Sequence, residues 1–330
     1  MRNPSRNHHF VAQVEQRLNS INPNISKKNQ KIYSFEIIDR ENYCLDLISE
    51  SGEKIEDNLS FDDLFSFKIL NERQRLNLEQ NFARYERDIG ELTKSLLKKI
   101  EENNNDIKKE ILEIFALKLL NSFRNPYCIK KTLNTIGELI KYSPTNAELK
   151  ELYEKIDTFN HPDWDELSIT FDVSIENYRK WLKSLFMVLV PKNNHGSNIL
   201  ELIIKVWFEK SDSFINVYIS QCSGISGAYT LVSDRGYTLV TDSEEHTAYE
   251  FNLSSTAYIS YVFTNIKSYA SELMNTEKIK QILTLNEKTP PKVKIHVIKD
   301  NPNALSRYNK NVIDQSFNKV FCKSKVIYGI

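Results

Sequence analysis

The stretch "NHHFVAQ", residues 7–13, concentrates groups that do chemistry: two adjacent imidazoles, His8 and His9, between the side-chain amides of Asn7 and Gln13. Six histidines occur in 330 residues, and two of them are neighbours here. A histidine moves protons near neutral pH, and a pair can divide the base and acid roles in attack on a phosphodiester. Apolar spacing predicts an opening helix over about residues 10–22. His8 and His9 would then lie on the approach to its N-terminus, where the helix dipole and unpaired N–H groups favour an anion. Consecutive residues of extended chain point to opposite sides, so both rings reach one substrate only if the loop bends. The structural alternative is a buried histidine held by the backbone beside Phe10.

Other groups are more scattered. "HPDWDEL" carries His161, Asp163, Asp165 and Glu166, oxygen ligands and one imidazole that suit a divalent ion, without the spacing of an EF-hand loop. A solvated loop is the expected reading there. His195 lies in a turn-rich stretch, His246 follows Asp242 closely, and His296 shares a strand face with Lys292 and Lys294. No GxGxxG, GxxxxGK[ST], HExxH or GxSxG occurs, and eight glycines leave little material for phosphate loops. P-loop nucleotide hydrolysis is set aside. Cys44, Cys128, Cys222 and Cys322 form no CxxC pair, the pattern of reduced cytosolic thiols.

These groups need elements to position them. Hydrophobic residues make up 40% of the chain and charged ones 27%, enough for a packed core. No run of eighteen apolar residues and no h-region is present, so a cytoplasmic protein without membrane spans is expected. The net charge of zero is unevenly spread. Residues 1–40 carry a net +4 and residues 292–330 a net +6, whereas residues 144–172 carry −6. Basic ends that meet would hold a phosphate backbone; alternatively they complement the acidic middle.

The predicted fold class is α+β: an N-terminal helix and β-hairpin, an inserted helical bundle, and a C-terminal, mostly antiparallel sheet with a late helix. "KIYSFEII" and "YCLDLIS" read as the hairpin. Leu78, Phe82, Tyr85, Ile89, Leu92, Leu96 and Ile100 alternate steps of four and three, predicting a helix over about 72–103 that stops at "NNN". Asp106 is the expected N-cap of the next helix, and Pro126 the first turn of a third. Beyond about residue 198, β-branched and aromatic runs from "FINVYISQ" to "AYISYVF" suggest a meander. "KVKIHVIK" and a helix around 303–320 follow. Three segments result: 1–70 as part of an α/β core, 71–190 as the bundle, and 191–330 completing the core.

"NHHFVAQ" resembles the opening of a widespread, mostly bacterial family catalogued as domain of unknown function 4238, whose members begin with a His-His-Phe/Tyr-Val/Ile-Pro-Gln-like motif. "KIYSFEI" close behind fits the same pattern, and "SRYNKNVIDQSF" is similar to an Asn-containing helix near that family's C-terminus. "LVTDSEE" lies where the family has Thr-Ser-Asp-Asn-Pro at a strand end, and keeps Thr241 and Asp242. Ala12 replaces a proline, and Ser243-Glu244 replace Asn-Pro. The likeness spans most of the chain and implies a shared polar site built from His8, His9 and Asp242, in a gene type associated with bacterial conflict and phage defence.

The leading functional expectation is a nuclease-like effector. His8 and His9 do acid–base work or anchor the phosphate, and Asp242 orients a histidine or binds a divalent metal. Asn7, Gln13, Arg17, Arg307 and Asn311 hold the nucleic acid. The rival is a non-catalytic sensor or regulatory module whose helices dock a protein partner or a second copy, or whose helix start holds a small nucleotide.

Overall fold

A computed structural model describes residues 2–3, 5–71, 74–210, 212–243, 245–270, 276–288 and 293–330. Lys292 and Glu244 lie outside them. The fold is α+β. Its first strands are β1 (Asn7–His9), β2 (Lys31–Asp39), β3 (Cys44–Leu47), β4 (Ser60–Asp62), β5 (Ser66–Asn71) and β6 (Gln74–Asn77). Helices α1 (Glu79–Glu101), α2 (Lys108–Arg124), α3 (Ile129–Ile136), α4 (Ala147–Glu154), α5 (Trp164–Phe171), α6 (Ile175–Leu189) and α7 (Ile199–Glu209) follow. The remainder comprises β7 (Ser213–Gln221), β8 (Thr238–Asp242), β9 (His246–Ser254), β10 (Ala257–Asn265), α8 (Thr276–Lys288), β11 (Lys294–Lys299), α9 (Pro302–Gln315) and β12 (Lys319–Cys322). No helix among the described residues is long and apolar enough to cross a membrane.

The chain divides into two compact units, one of residues 1–14 and 57–203, the other of 15–56 and 204–330. The expected N-terminal segment 1–70 is thus shared between them. Its hairpin goes with the C-terminal half because β2 pairs antiparallel with β12, Phe35 opposite Val320.

In the first unit, α1 and α2 form an antiparallel pair. The stop at "NNN" is a Schellman turn: Asn103 takes φ 55°, the Asn104 N–H reaches Lys99 O at 2.8 Å, and the Asn103 N–H reaches Ile100 O. Two expectations change here. Helix α1 starts at Glu79 and not near residue 72, because Gln74–Asn77 pair with β5 as strand β6. Asp106 is not a cap; α2 starts at Lys108, and the Asp106 carbonyl takes the Lys99 ammonium instead. The apolar stripe is consumed internally, with Phe82, Ile89, Leu96 and Ile100 all buried. Trp181 and Tyr178 of α6 are fully buried. Their polar ends are satisfied: Trp181 Nε1 donates to Phe123 O at 2.7 Å and the Tyr178 hydroxyl to Leu64 O at 2.8 Å.

In the second unit, one sheet runs Val232–Ser233, β12, β2, β3, and the other runs β8, β9, β10, β7, β11. All neighbours are antiparallel except β11, which lies parallel to β7 at the edge. Helix α9 starts where the Asn301 side chain accepts from the Ala304 N–H and Pro302 fixes the first turn. It ends at Gln315, short of the expected 320, because Lys319–Cys322 turn into β12. Tyr308, Val312 and Ile313 of α9 share a core with Phe35, Tyr258, Val320 and Cys322 from both sheets.

Candidate functional site

The histidine pair sits on a strand, not in a loop before a helix. β1 pairs antiparallel with β4, His8 opposite Phe61 and His9 opposite Ser60. The helical turn behind it spans Gln13–Arg17, five residues in place of the expected 10–22. A strand sends neighbours to opposite sides, and the two rings separate accordingly. His8 is fully buried. Its Nδ1 accepts the Phe65 N–H at 3.0 Å, so Nε2 carries the proton and donates to Ser5 O at 3.1 Å. Burial pushes its pKa down to about 4, outweighing the pull of Ser5 and Asp63. His9 Nδ1 donates to Asn58 O at 3.0 Å, and Nε2 accepts from the Gln13 amide at 2.6 Å. Both imidazoles thus have both ring nitrogens engaged by the protein itself, and Gln13 serves the His9 ring.

"HPDWDEL" behaves similarly. His161 is buried, donates from Nε2 to Asp62 O at 3.0 Å and accepts the Asp163 N–H at 3.1 Å on Nδ1. Burial lowers its pKa as well. Asn7 and this segment meet in an open cleft of about 380 Å³ lined by Arg6, Asp57, Asp62, Asp163 and Glu166 among others. Arg6 spans it, 2.9 Å from Asp62 and 3.8 Å from Asp163. Four carboxylates against one guanidinium repel a phosphodiester. Among the described residues, no group of three or more His, Cys, Asp or Glu converges as metal ligands.

Asp242, Arg17, Arg307 and Asn311 belong to the second unit. Asp242 ends β8, exposed, with the Thr247 hydroxyl 3.5 Å away. Arg17 is half-buried in the field of Glu56, and burial lowers its pKa. Arg307 and Asn311, one turn apart on α9, do converge, on the buried carboxylate of Glu250. Asn311 Nδ2 donates at 3.3 Å, Arg307 Nη2 lies 3.5 Å away, and the Ser260 hydroxyl donates at 3.1 Å.

The cluster with unmet chemistry contains none of the polar residues that stand out in the sequence. Glu79, Phe82 and Glu86 fall at i, i+3 and i+7 on one stripe of α1. Against this stripe lies Arg124, the last residue of α2, fully buried, where the helix dipole favours a cation. Its guanidinium stands 4.9 Å from the Phe82 ring centre, and Nη1 meets Glu86 Oε1 at 2.5 Å. Nε and Nη2 are buried with no hydrogen-bond partner, and so is Glu79 Oε1. Burial pushes the Glu79 carboxyl up to about 8, with Glu86 adding to the rise and Arg124 offsetting only part of it. At neutral pH this site therefore holds a protonated carboxyl, an ion-paired carboxylate and a guanidinium with two spare donors.

The histidine strand supports this cluster from behind. His8 stacks on Phe65, centroids 5.6 Å apart and planes 12° apart, and Phe65 meets Phe82 edge-on at 4.7 Å. The Ser5 carbonyl that takes the His8 proton also takes Asn77 Nδ2 at 3.5 Å, and Asn77 Oδ1 accepts the Glu79 N–H at 3.2 Å. The signal available in the sequence was two glutamates flanking an otherwise apolar seam, and an arginine closing a helix just before Asn-Pro.

No protein family, no curated protein and no solved structure matches this chain.

Proposed function

We propose that this chain is a nuclease-like effector acting on RNA at the Glu79–Arg124–Glu86 cluster, in the defence setting that the resemblance implies. The observation that carries the reading is a buried guanidinium with two nitrogens, Nε and Nη2, that lack an acceptor, beside a carboxyl held protonated. Unpaired buried donors are expensive and rare; an anion that enters the site supplies what they lack. A buried carboxyl that keeps its proton suits a general acid, and the carboxylate ion-paired to the same guanidinium suits a general base. In this reading Glu86 takes the proton from the ribose 2′-hydroxyl as O2′ attacks phosphorus. Arg124 holds the non-bridging oxygens, and Glu79 gives its proton to the departing O5′. The products are a 2′,3′-cyclic phosphate and a 5′-hydroxyl, with every proton accounted for.

His8 then supports the cluster structurally through Phe65, and neither His9 nor Asp242 has a step assigned to it. The rival reading, docking of a partner through the helical seam, has less support because that seam is buried inside the first unit. Incubation of the protein with end-labelled RNA and DNA, with and without divalent ions, tests the proposal. RNA is expected to be cut to 2′,3′-cyclic ends, and DNA to survive. Inertness of the wild type toward RNA under all conditions would overturn it.

A further inference from the structure

The second unit carries a sheet whose two faces differ in kind. Ile215, Val217 and Ile219 of β7 and Ile259 and Tyr261 of β10, all odd-numbered, are buried. Trp207 and Phe208 of α7 pack toward the same side, 5.5 and 5.7 Å from the Phe263 ring. The even-numbered face is different. Phe214, Asn216 and Tyr218 of β7 point the same way as Lys294 and His296 of β11, because the parallel register puts Lys294 beside Asn216 and His296 beside Tyr218. The Tyr218 and His296 rings lie stacked, centroids 4.7 Å apart and planes 16° apart. His296 Nε2 donates to Asn216 Oδ1 at 3.2 Å, which fixes the ring's orientation. Phe214 is 42% exposed, and His296 and Lys294 are exposed.

We infer that this face is a binding platform for unpaired nucleotides of single-stranded RNA. Three features favour that occupant. Aromatic rings presented on a sheet are surfaces on which bases stack, whatever their identity. The charge is complementary: Lys294 lies on the face and Arg307 reaches out 63% exposed from α9. The helix itself covers another part of this same face, with the Tyr258 hydroxyl donating to Ala304 O. No acidic side chain occupies an even-numbered position among the described residues of β7, β10 and β11, and Glu250 of β9, which shares this face opposite Ser260, is buried beneath Arg307 and Asn311 of α9. A duplex cannot use the rings, because its bases are already stacked on one another.

The inference names the form of RNA that the proposed nuclease would take, and in that respect rests on that proposal. The binding event is measurable apart from turnover. The experiment is fluorescence anisotropy of the full chain with a labelled 2′-O-methyl oligouridine, which no attack by a 2′-hydroxyl can cleave. Tyr218→Leu and His296→Ala should each weaken binding by roughly 10- to 100-fold, at unchanged melting temperature. Lys294→Gln should flatten the salt dependence by about one phosphate contact. Duplex RNA should compete poorly. Equal affinity of the wild type and the Tyr218→Leu/His296→Ala variant would overturn the platform, and so would equal competition by duplex RNA or by poly-glutamate. If this oligonucleotide binds and RNA is never cut, the platform stands and the nuclease reading fails; cutting without platform binding gives the converse.

Discussion

Arg124 Nη1 lies 2.5 Å from Glu86 Oε1, while the same guanidinium leaves Nε and Nη2 with no acceptor. A buried ion pair that served stability alone would satisfy its remaining protons, since desolvation of the two charges costs several kcal/mol. The partial pairing has a consequence for substitution. Arg124→Met combined with Glu86→Leu, an apolar replacement of the whole pair, should keep the fold within about 2 kcal/mol of wild type. RNA cleavage should fall by at least about 10²-fold, the usual loss when a charge-stabilising donor is removed. Chemical denaturation and single-turnover cleavage measure the two effects on one sample. A loss of about 3–5 kcal/mol, as for a broken structural pair, would count against a functional arginine.

Glu79 makes a second prediction, which needs no substrate. A carboxyl raised from 4.5 to about 8 contributes stability that is complete below pH 4.5 and is lost as pH rises through 8. Glu79→Gln, which never ionises, should therefore melt with the wild type at pH 4 and progressively above it as pH rises from 4.5 to about 8. Side-chain ¹³C NMR should place the Glu79 titration near pH 8. An ordinary carboxylate titration would remove the proton donor from the account.

His8 is expected to matter for folding and little for chemistry. Loss of two hydrogen bonds and a ring stack in His8→Ala should cost about 2–4 kcal/mol. Cleavage per folded molecule should stay within about tenfold of wild type. Because burial lowers the His8 pKa to about 4, its contribution is intact above pH 6.5 and fades as pH falls toward 4. The wild type should lose up to about 3 kcal/mol over that window from this group. His161 is shifted in the same direction and adds to the loss. The His8→Ala variant should show a shallower acid slope in pH-dependent melting; an equal slope would contradict the assignment.

The pair on α9 separates structure from binding. Asn311 is tied to Glu250, so Asn311→Ala should lower unfolding free energy by about 1 kcal/mol and leave oligonucleotide affinity unchanged. Arg307 is largely exposed but also reaches the buried Glu250 carboxylate at 3.5 Å, so Arg307→Ala should weaken oligonucleotide binding and lower unfolding free energy by about 1 kcal/mol as well. Denaturation and anisotropy on both variants check the division.

Much of the fold was legible because local signals agreed with tertiary demands. The strand runs from "FINVYISQ" to "AYISYVF", the stop at Asn103 and a helix beginning near residue 303 all follow from residue type and period. The misplaced start of α1 shows where that logic ends. "QRLN" has no strong strand signal, and its pairing with Ser66–Asn71 is set by neighbours distant from any local window. The histidine pair was noticed for its chemistry, but its burial depends on Phe65 and Ser5, which no spacing rule connects to it. Glu79, Glu86 and Arg124 were passed over for a similar reason. Periodicity marks the apolar members of a seam, whereas the guanidinium that faces Phe82 comes from the far end of another helix.

The most direct measurement is the pH dependence of single-turnover cleavage of an RNA oligonucleotide by the wild type and Glu79→Gln. The account expects wild-type cleavage to hold through neutral pH and fall as pH rises past about 8, where the Glu79 proton is lost, with Glu79→Gln slowed by about 10²- to 10⁴-fold at neutral pH. Cleavage by Glu79→Gln at the wild-type rate, with the same alkaline limb, would contradict it.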